Sequence, residues 1–454
     1  MKTKNLFLAV SLLLAISAMA QIQPYPYNSA ILSRGFLNTE IQTIVRHWDD
    51  TYVISYHAGS GGGYFSCSDF SGFWDIFSSS CVNAQAQLSD PLPVEYEVKD
   101  MRIFNDNVFF CGLKHDFAGD IGFVGWFDLN LFMTGNFTPH IQEINSVTLL
   151  RKMTVYKNNG PLTVVAIGDI ISPNSSVNAI VEISDINNNM ICSITSVYSN
   201  PFEELNDILY LGNKLVFVGT TTVGYNNFFY TRIVDDTYLA SNSTNINNYY
   251  YFLGTNEVNG YTVSTSLIDD NFAISYVHCL PDQSFVTRIR VIDINSSNPT
   301  NVISQEFPKA NKEDPLEMVY SIPNETLALL QPIDYFFYPP YYINPQFIFL
   351  KPLYTSPYTT YISYFQSSHY YTSLDTYGSP AIVSVADQLA YLQEVTTQNN
   401  SGCPFATNWD VYPISNMVAS SIYLPLNFNP CSFVSIDLPL SSHSENWNAN
   451  CCSY

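Results

Sequence analysis

The groups through which this chain of 454 residues could do chemistry are 39 acidic residues, nine cysteines and seven histidines. None of the histidines, His47, His57, His115, His140, His278, His369 and His443, falls in an HExxH pair, so a zinc hydrolase motif is absent. A GxSxG nucleophile elbow and a glycine-rich phosphate loop are absent too. The acidic residues are scattered and form no DxDxDG calcium loop. No cofactor and no metal is expected from these spacings. What recurs is subtler. His57, His115 and His278 each stand one to three residues beyond a short apolar run, and Asp116 and Asp169 hold matching places. Polar residues that follow apolar runs are commonly no more than solvated loop positions. If the runs are equivalent strands, however, these five side chains open on one face and could bind a ligand together.

The runs must therefore be examined as elements. Asp100 to Asp128, DMRIFNDNVFFCGLKHDFAGDIGFVGWFD, reads as three strands, with the turn Asn105-Asp106-Asn107 joining the first two. DILYLGNKLVFVG, from Asp207 to Gly219, matches its first half. Weaker copies end at Tyr56, Gly168, Tyr276, Gln331 and Gln393, so that with Gly112 and Gly219 seven anchors lie 51 to 62 residues apart. A third strand ending in Asp follows five of them, at Asp69, Asp128, Asp185, Asp235 and Asp293, and QFIFLK takes that place in the sixth unit. VEYEV, MICSITSV and TTYISYF are candidate fourth strands.

Four short strands at a period of about 40 to 60 residues predict an all-β, seven-bladed β-propeller, with six or eight blades as alternatives. The strand-turn-strand-loop-strand-Asp order resembles the blade of WD40-like propellers, with Trp126-Phe127-Asp128 the nearest echo. That resemblance implies an architecture and no activity, because the Gly-His and Trp-Asp signatures, the kelch double glycine and the sialidase Asp box do not recur. Residues 21–454 are expected to be one domain, in which 21–40 supply a strand, ILSRGF, that closes the ring and 394–454 form an irregular last blade and tail.

Lys2 and Lys4 precede an apolar run from Leu6 to Ile16, and Ala18-Met19-Ala20 is followed by Gln21. This is an export signal over residues 1–20, cleaved after Ala20. The run is too short to span a bilayer. A secreted, periplasmic or cell-surface location follows, in which disulfides persist. Cys67 and Cys81 flank one loop and are expected to pair; Cys403 and Cys431 are expected to staple the last unit. Cys111 and Cys192 fall inside strands and read as small buried hydrophobes. An odd number, nine, leaves at least one cysteine unpaired, and the vicinal Cys451-Cys452 pair is no zinc signature.

The formal net charge of −22 becomes −24 once Lys2 and Lys4 leave with the signal. With 17 Lys and Arg in all, the charge argues against nucleic acid and anionic lipid as partners, and neither is expected. Between Tyr335 and Tyr371 lie 15 aromatics and five prolines. Tyr338, Tyr341 and Tyr342 could form a platform on which sugar rings stack, although a chain that is 15% aromatic needs such residues between its sheets, and that reading fits the composition better. The sequence thus points to an exported, non-catalytic binding module for a glycan or protein ligand. The alternative is a glycan-acting hydrolase or lyase whose carboxylates converge at the central opening.

Overall fold

The computed structural model describes residues 29–33, 39–46, 51–58, 63–69, 82–88, 95–133, 139–145, 147–172, 175–184, 191–197, 203–223, 226–235, 249–253, 260–268, 271–280, 282–293, 301–309, 317–321, 326–334, 343–350, 359–363, 369–373, 381–386, 389–394, 404–408, 412–413, 419–422, 427–430, 433–437, 441–442 and 447–448. The export signal, Cys81, Cys403, Cys431, Tyr338, Tyr341 and Tyr342 lie outside them, as does the side chain of Cys67. Among the described residues no helix is long and apolar enough to cross a membrane.

These residues form seven antiparallel sheets of five strands. Sheet two shows how the sequence builds one. Glu95–Phe104, Asn107–Asp116 and Gly119–Asp128 follow one another as hairpins, and His140–Ile144 adds the fourth strand. The first hairpin closes on Asn105 and Asp106, whose φ angles of 47° and 59° are left-handed, a conformation for which Asn and Asp are well suited. In sheet four Gly212 and Asn213 do the same, at φ 52° and 64°. The Asp that ends the third strands has a constant register. Asp69, Asp128, Asp235 and Asp293 each pair with the first residue of the neighbouring second strand, namely Thr51, Asn107, Lys214 and Asn271.

The second strands are continuous apolar runs because both of their faces are covered. Val108 and Phe110 pack with Val45 and Val53 of sheet one, whereas Phe109 and Cys111 pack with Leu150, Met153 and Val164 of sheet three. The alternation repeats onward: Val165 and Ile167 meet Leu215 and Phe217, and Val216 and Val218 meet Phe272 and Ile274. Period-2 side chains thus sort into the two gaps on either side of each sheet. At about 25 cal/mol per Å² such two-sided burial is the dominant stabilising term. Between sheets one and two the gap is lined by aromatic rings in edge contact, Tyr96 against Phe123 at 5.3 Å and Phe110 against Phe123 at 5.9 Å.

First strands of consecutive sheets pack side by side, from sheet seven (His369–Ser373) to sheet one (Thr39–Arg46) and on through sheet six (Glu317–Ser321). They stand innermost about an axis, and the fifth strand of each sheet stands outermost. The chain is an all-β propeller. Ser29–Ser33, from the N-terminal region, is the fourth strand of sheet seven and pairs with Leu389–Glu394.

Two strand assignments made from the sequence differ. VEYEV is not a fourth strand; it is the first half of the inner strand Glu95–Phe104, of which MRIF is the end. The anchor Gln393 lies in the third strand of its sheet, whereas the other six anchors lie in second strands. Ala386 of Ala381–Ala386 pairs with Leu389 of Leu389–Glu394, and two strands so close in sequence imitate a first hairpin, although His369–Ser373 precedes them.

Candidate functional site

VEYEV and MRIF read as two strands because a β-bulge separates them. Val98 pairs with Gly112 and Asp100 with Cys111, which leaves Lys99 as the extra residue. The same irregularity recurs at the same level of four more inner strands, where the extra residues are Gln42, Arg151, Asn206 and Thr262. A bulge bends the strand and re-aims a side chain. Here it places polar groups along the innermost strands, opposite the middle of the second strands.

The bulge also explains two anchor glycines. A Cβ on Gly112 would lie 1.9 Å from the carbonyl oxygen of Glu97, and one on Gly168 would lie 1.8 Å from that of Leu149. The bowed inner strand occupies the space that a side chain would need.

Side-chain oxygens tie three successive pairs of sheets together near this level, one to two, two to three and three to four. Gln42 Oε1 accepts from the Val98 amide at 3.0 Å and from the Ser55 hydroxyl at 2.9 Å. Asp100, only 2% exposed, accepts from the Met153 amide at 2.9 Å and from Arg102 Nη1 at 2.9 Å, with Lys152 Nζ 4.0 Å away. Asn178 Oδ1 accepts from the Leu205 amide at 3.1 Å. Buried amides that the bulges would strand are thereby satisfied.

Arg151 is the hub of the site. Its guanidinium bonds Asp169 of its own sheet, Glu204 Oε1 of sheet four at 3.0 Å and the Leu205 carbonyl. Burial pushes the Asp169 carboxyl up from its ordinary range, and the charge and hydrogen bond of Arg151 oppose that rise without cancelling it. Next to this group, at the bulge of sheet four, Asn206 Oδ1 is buried with no hydrogen-bond partner.

His115 occupies the end of the second strand of sheet two, beside the turn whose tip is the exposed Phe117. Its Nδ1 lies 2.7 Å from Asp120 Oδ1 and its Nε2 3.6 Å from Glu97 Oε2, while Lys99 holds the other Glu97 oxygen. Below it Lys114 is buried against Glu143 at 2.7 Å, and the Tyr96 hydroxyl donates to the same oxygen at 3.0 Å.

The other expected residues are placed as follows. His57 pairs in register with Glu40 and Gly63, near the end of its strand. His278 is buried, in register with Gly260 and Val286. Asp116 ends its strand and accepts from the Ala118 amide. All of these residues stand within second strands rather than in the loops beyond them, because those strands run on past the anchors. His115 and Asp169 belong to adjacent sheets but to separate polar groups. Arg151, Glu204, Lys99 and Glu97 were not foreseen. For Lys99 and Arg151 the signal was a polar pair interrupting an apolar inner strand, Lys99-Asp100 and Arg151-Lys152, as at Asn206-Asp207.

No family model matches this chain, and no curated protein matches it. Among solved structures it is similar to Drosophila Semaphorin 2a, with 9% identity, a TM-score of 0.48 and coverage of 83% of this chain and 77% of that one. It is also similar to a Bombyx mori GH32 beta-fructofuranosidase solved with sucrose, with 11% identity, a TM-score of 0.32 and coverage of 91% and 94%. Likeness at this level concerns overall shape, and no activity passes from either protein to this chain.

Proposed function

We propose that the seven sheets are the seven blades of one ring, and that the mature chain is an exported, non-catalytic binding module. Its ligand, a glycan or a protein surface, docks on the face where the inner strands begin. The observation that carries this reading is the mutual commitment of the charged groups there. Arg151 is held between Asp169 and Glu204, and His115 between Glu97 and Asp120. Such pairs fix polar side chains in one geometry, as recognition requires.

A second reading is favoured by Asp169, a buried carboxyl with its proton affinity raised, set across Arg151 from Glu204. That arrangement suits a glycan-acting hydrolase that uses one carboxyl as acid and another as base. Screening residues 21–454 against a panel of polysaccharides and glycosides separates the two. Binding without product, weakened by Arg151→Gln, is expected. Turnover abolished by Asp169→Asn or Glu204→Gln would overturn the binding-module reading.

A further inference from the structure

The fifth strand of every sheet comes from one stretch near the C-terminus, and it is laid down in reverse order. Pro404–Asn408 pairs with Thr359–Ser363 of sheet six, and Tyr412–Pro413 with Asn301–Lys309 of sheet five. Ala419–Ile422 follows on Tyr249–Leu253 of sheet four, and Asn427–Pro430 on Ile191–Val197 of sheet three. Phe433–Asp437 then joins His140–Ile144 of sheet two, and Ser441–Ser442 joins Val82–Leu88 of sheet one. The last, Trp447–Asn448, reaches sheet seven on Ser29–Ser33. Every pairing is antiparallel and every one is to a fourth strand. The chain has circled the axis once to build four strands in each sheet, and it circles back outside them.

Without this return each sheet would end in a fourth strand of five to nine residues with one row of amides and carbonyls unpaired. Long open edges are templates for pairing with another chain, and very short edge strands are a means of blunting them. The returning strands have two to five residues, so the exposed edge becomes shorter in five of the seven sheets and keeps its five residues in sheets two and six. Each contact is small; linked in series, seven of them hold by effective concentration.

We infer that residues 404–448 form a belt that docks on an already assembled ring and caps its seven outer edges against pairing with a second copy of this chain. The belt contributes no inner, second or third strand to any sheet, so the four-stranded sheets are complete before it arrives. It unzips from the C-terminal end, where its last two strands have two residues each.

The test uses the mature chain with a protease site inserted between Glu394 and Pro404, folded intact, then cut under reducing conditions. Light scattering and hydrogen exchange are read before and after the belt is removed in mild denaturant. On release, protection at His140–Ile144 should be lost and the ring's mass should at least double. Adding back a synthetic 404–448 peptide carrying Cys431→Ser should restore both. A ring that stays monomeric after release overturns the proposal. So does a ring that unfolds when the belt leaves, or a belt that leaves only when the ring unfolds, because either makes the belt part of the fold rather than a cap on it.

Discussion

Gly168→Ala tests the bulge and the repeat together. The added methyl would lie 1.8 Å from the Leu149 oxygen and 2.8 Å from both the Leu149 carbonyl carbon and Leu150 Cα. A carbon and a carbonyl oxygen need about 3.3 Å, so the two strands must separate by roughly 1.5 Å. None of the three clashing atoms is the end of a flexible side chain. Leu150 is fully buried in the cluster between sheets two and three, so it cannot retreat without disturbing Met153 and Val164. Overpacking of this kind costs about 1–3 kcal/mol, and weakening the Gly168–Leu150 pairing adds about 1 kcal/mol. Together these give about 3 kcal/mol, read as a fall in the urea midpoint at unchanged slope. Gly160→Ala is the control, because it is exposed and its nearest neighbour, Asn158 O, is 3.3 Å away. That variant should lie within about 0.5 kcal/mol of the parent. If Gly168→Ala is equally neutral, the bulge does not constrain the anchor and the reasoning fails.

Lys114→Met leaves Glu143 buried without its cation and should cost about 3–5 kcal/mol in the same unfolding assay. Adding Glu143→Leu should recover most of the loss; a harmless single variant would show that the pair is not buried as described. Asp169 sets a pH dependence. Its folded proton affinity is raised, so the folded chain holds that proton at pH values where the unfolded chain has released it, and stability falls as pH rises from the unfolded value of 3.8 through the folded one. Relative to Asp169→Asn, the parent should therefore gain stability as pH drops from neutral into that window, measured by unfolding midpoints at each pH. A constant difference would exclude the shift.

The repeat was legible because a strand buried on both faces must be apolar throughout, and runs such as VFFCG and LVFVG announce themselves. The hairpin turns were legible for a local reason, since two consecutive left-handed residues favour Asn, Asp and Gly. Bulges give a fainter signal, no more than a polar pair inside an apolar run. One extra residue in an inner strand shifts the side-chain phase without changing composition, which is why Glu95–Phe104 read as two pieces. The site built on those bulges was hidden for the same reason. Arg151 and Glu204 are 53 residues apart in the chain and meet only because adjacent sheets present their bulges at one level.

The return of the chain was illegible for a different reason, and its composition shows why. Pro404, Pro413 and Pro430 lie within the returning strands. A proline inside an apolar run argues against a central strand, because it removes an amide that the ladder needs. Read as a blade, the segment therefore looks irregular. An outermost strand has a neighbour on one side only, so half of its amides face away from the sheet and proline is tolerated there. Its strands also begin six to eight residues apart, at residues 404, 412, 419, 427, 433, 441 and 447, far below the spacing of the blades. A search for the longer period passes over the shorter one. The features that disqualify this stretch as an eighth unit, namely prolines, short runs and close spacing, are those that suit a single strand stitched once around the outside of seven finished sheets.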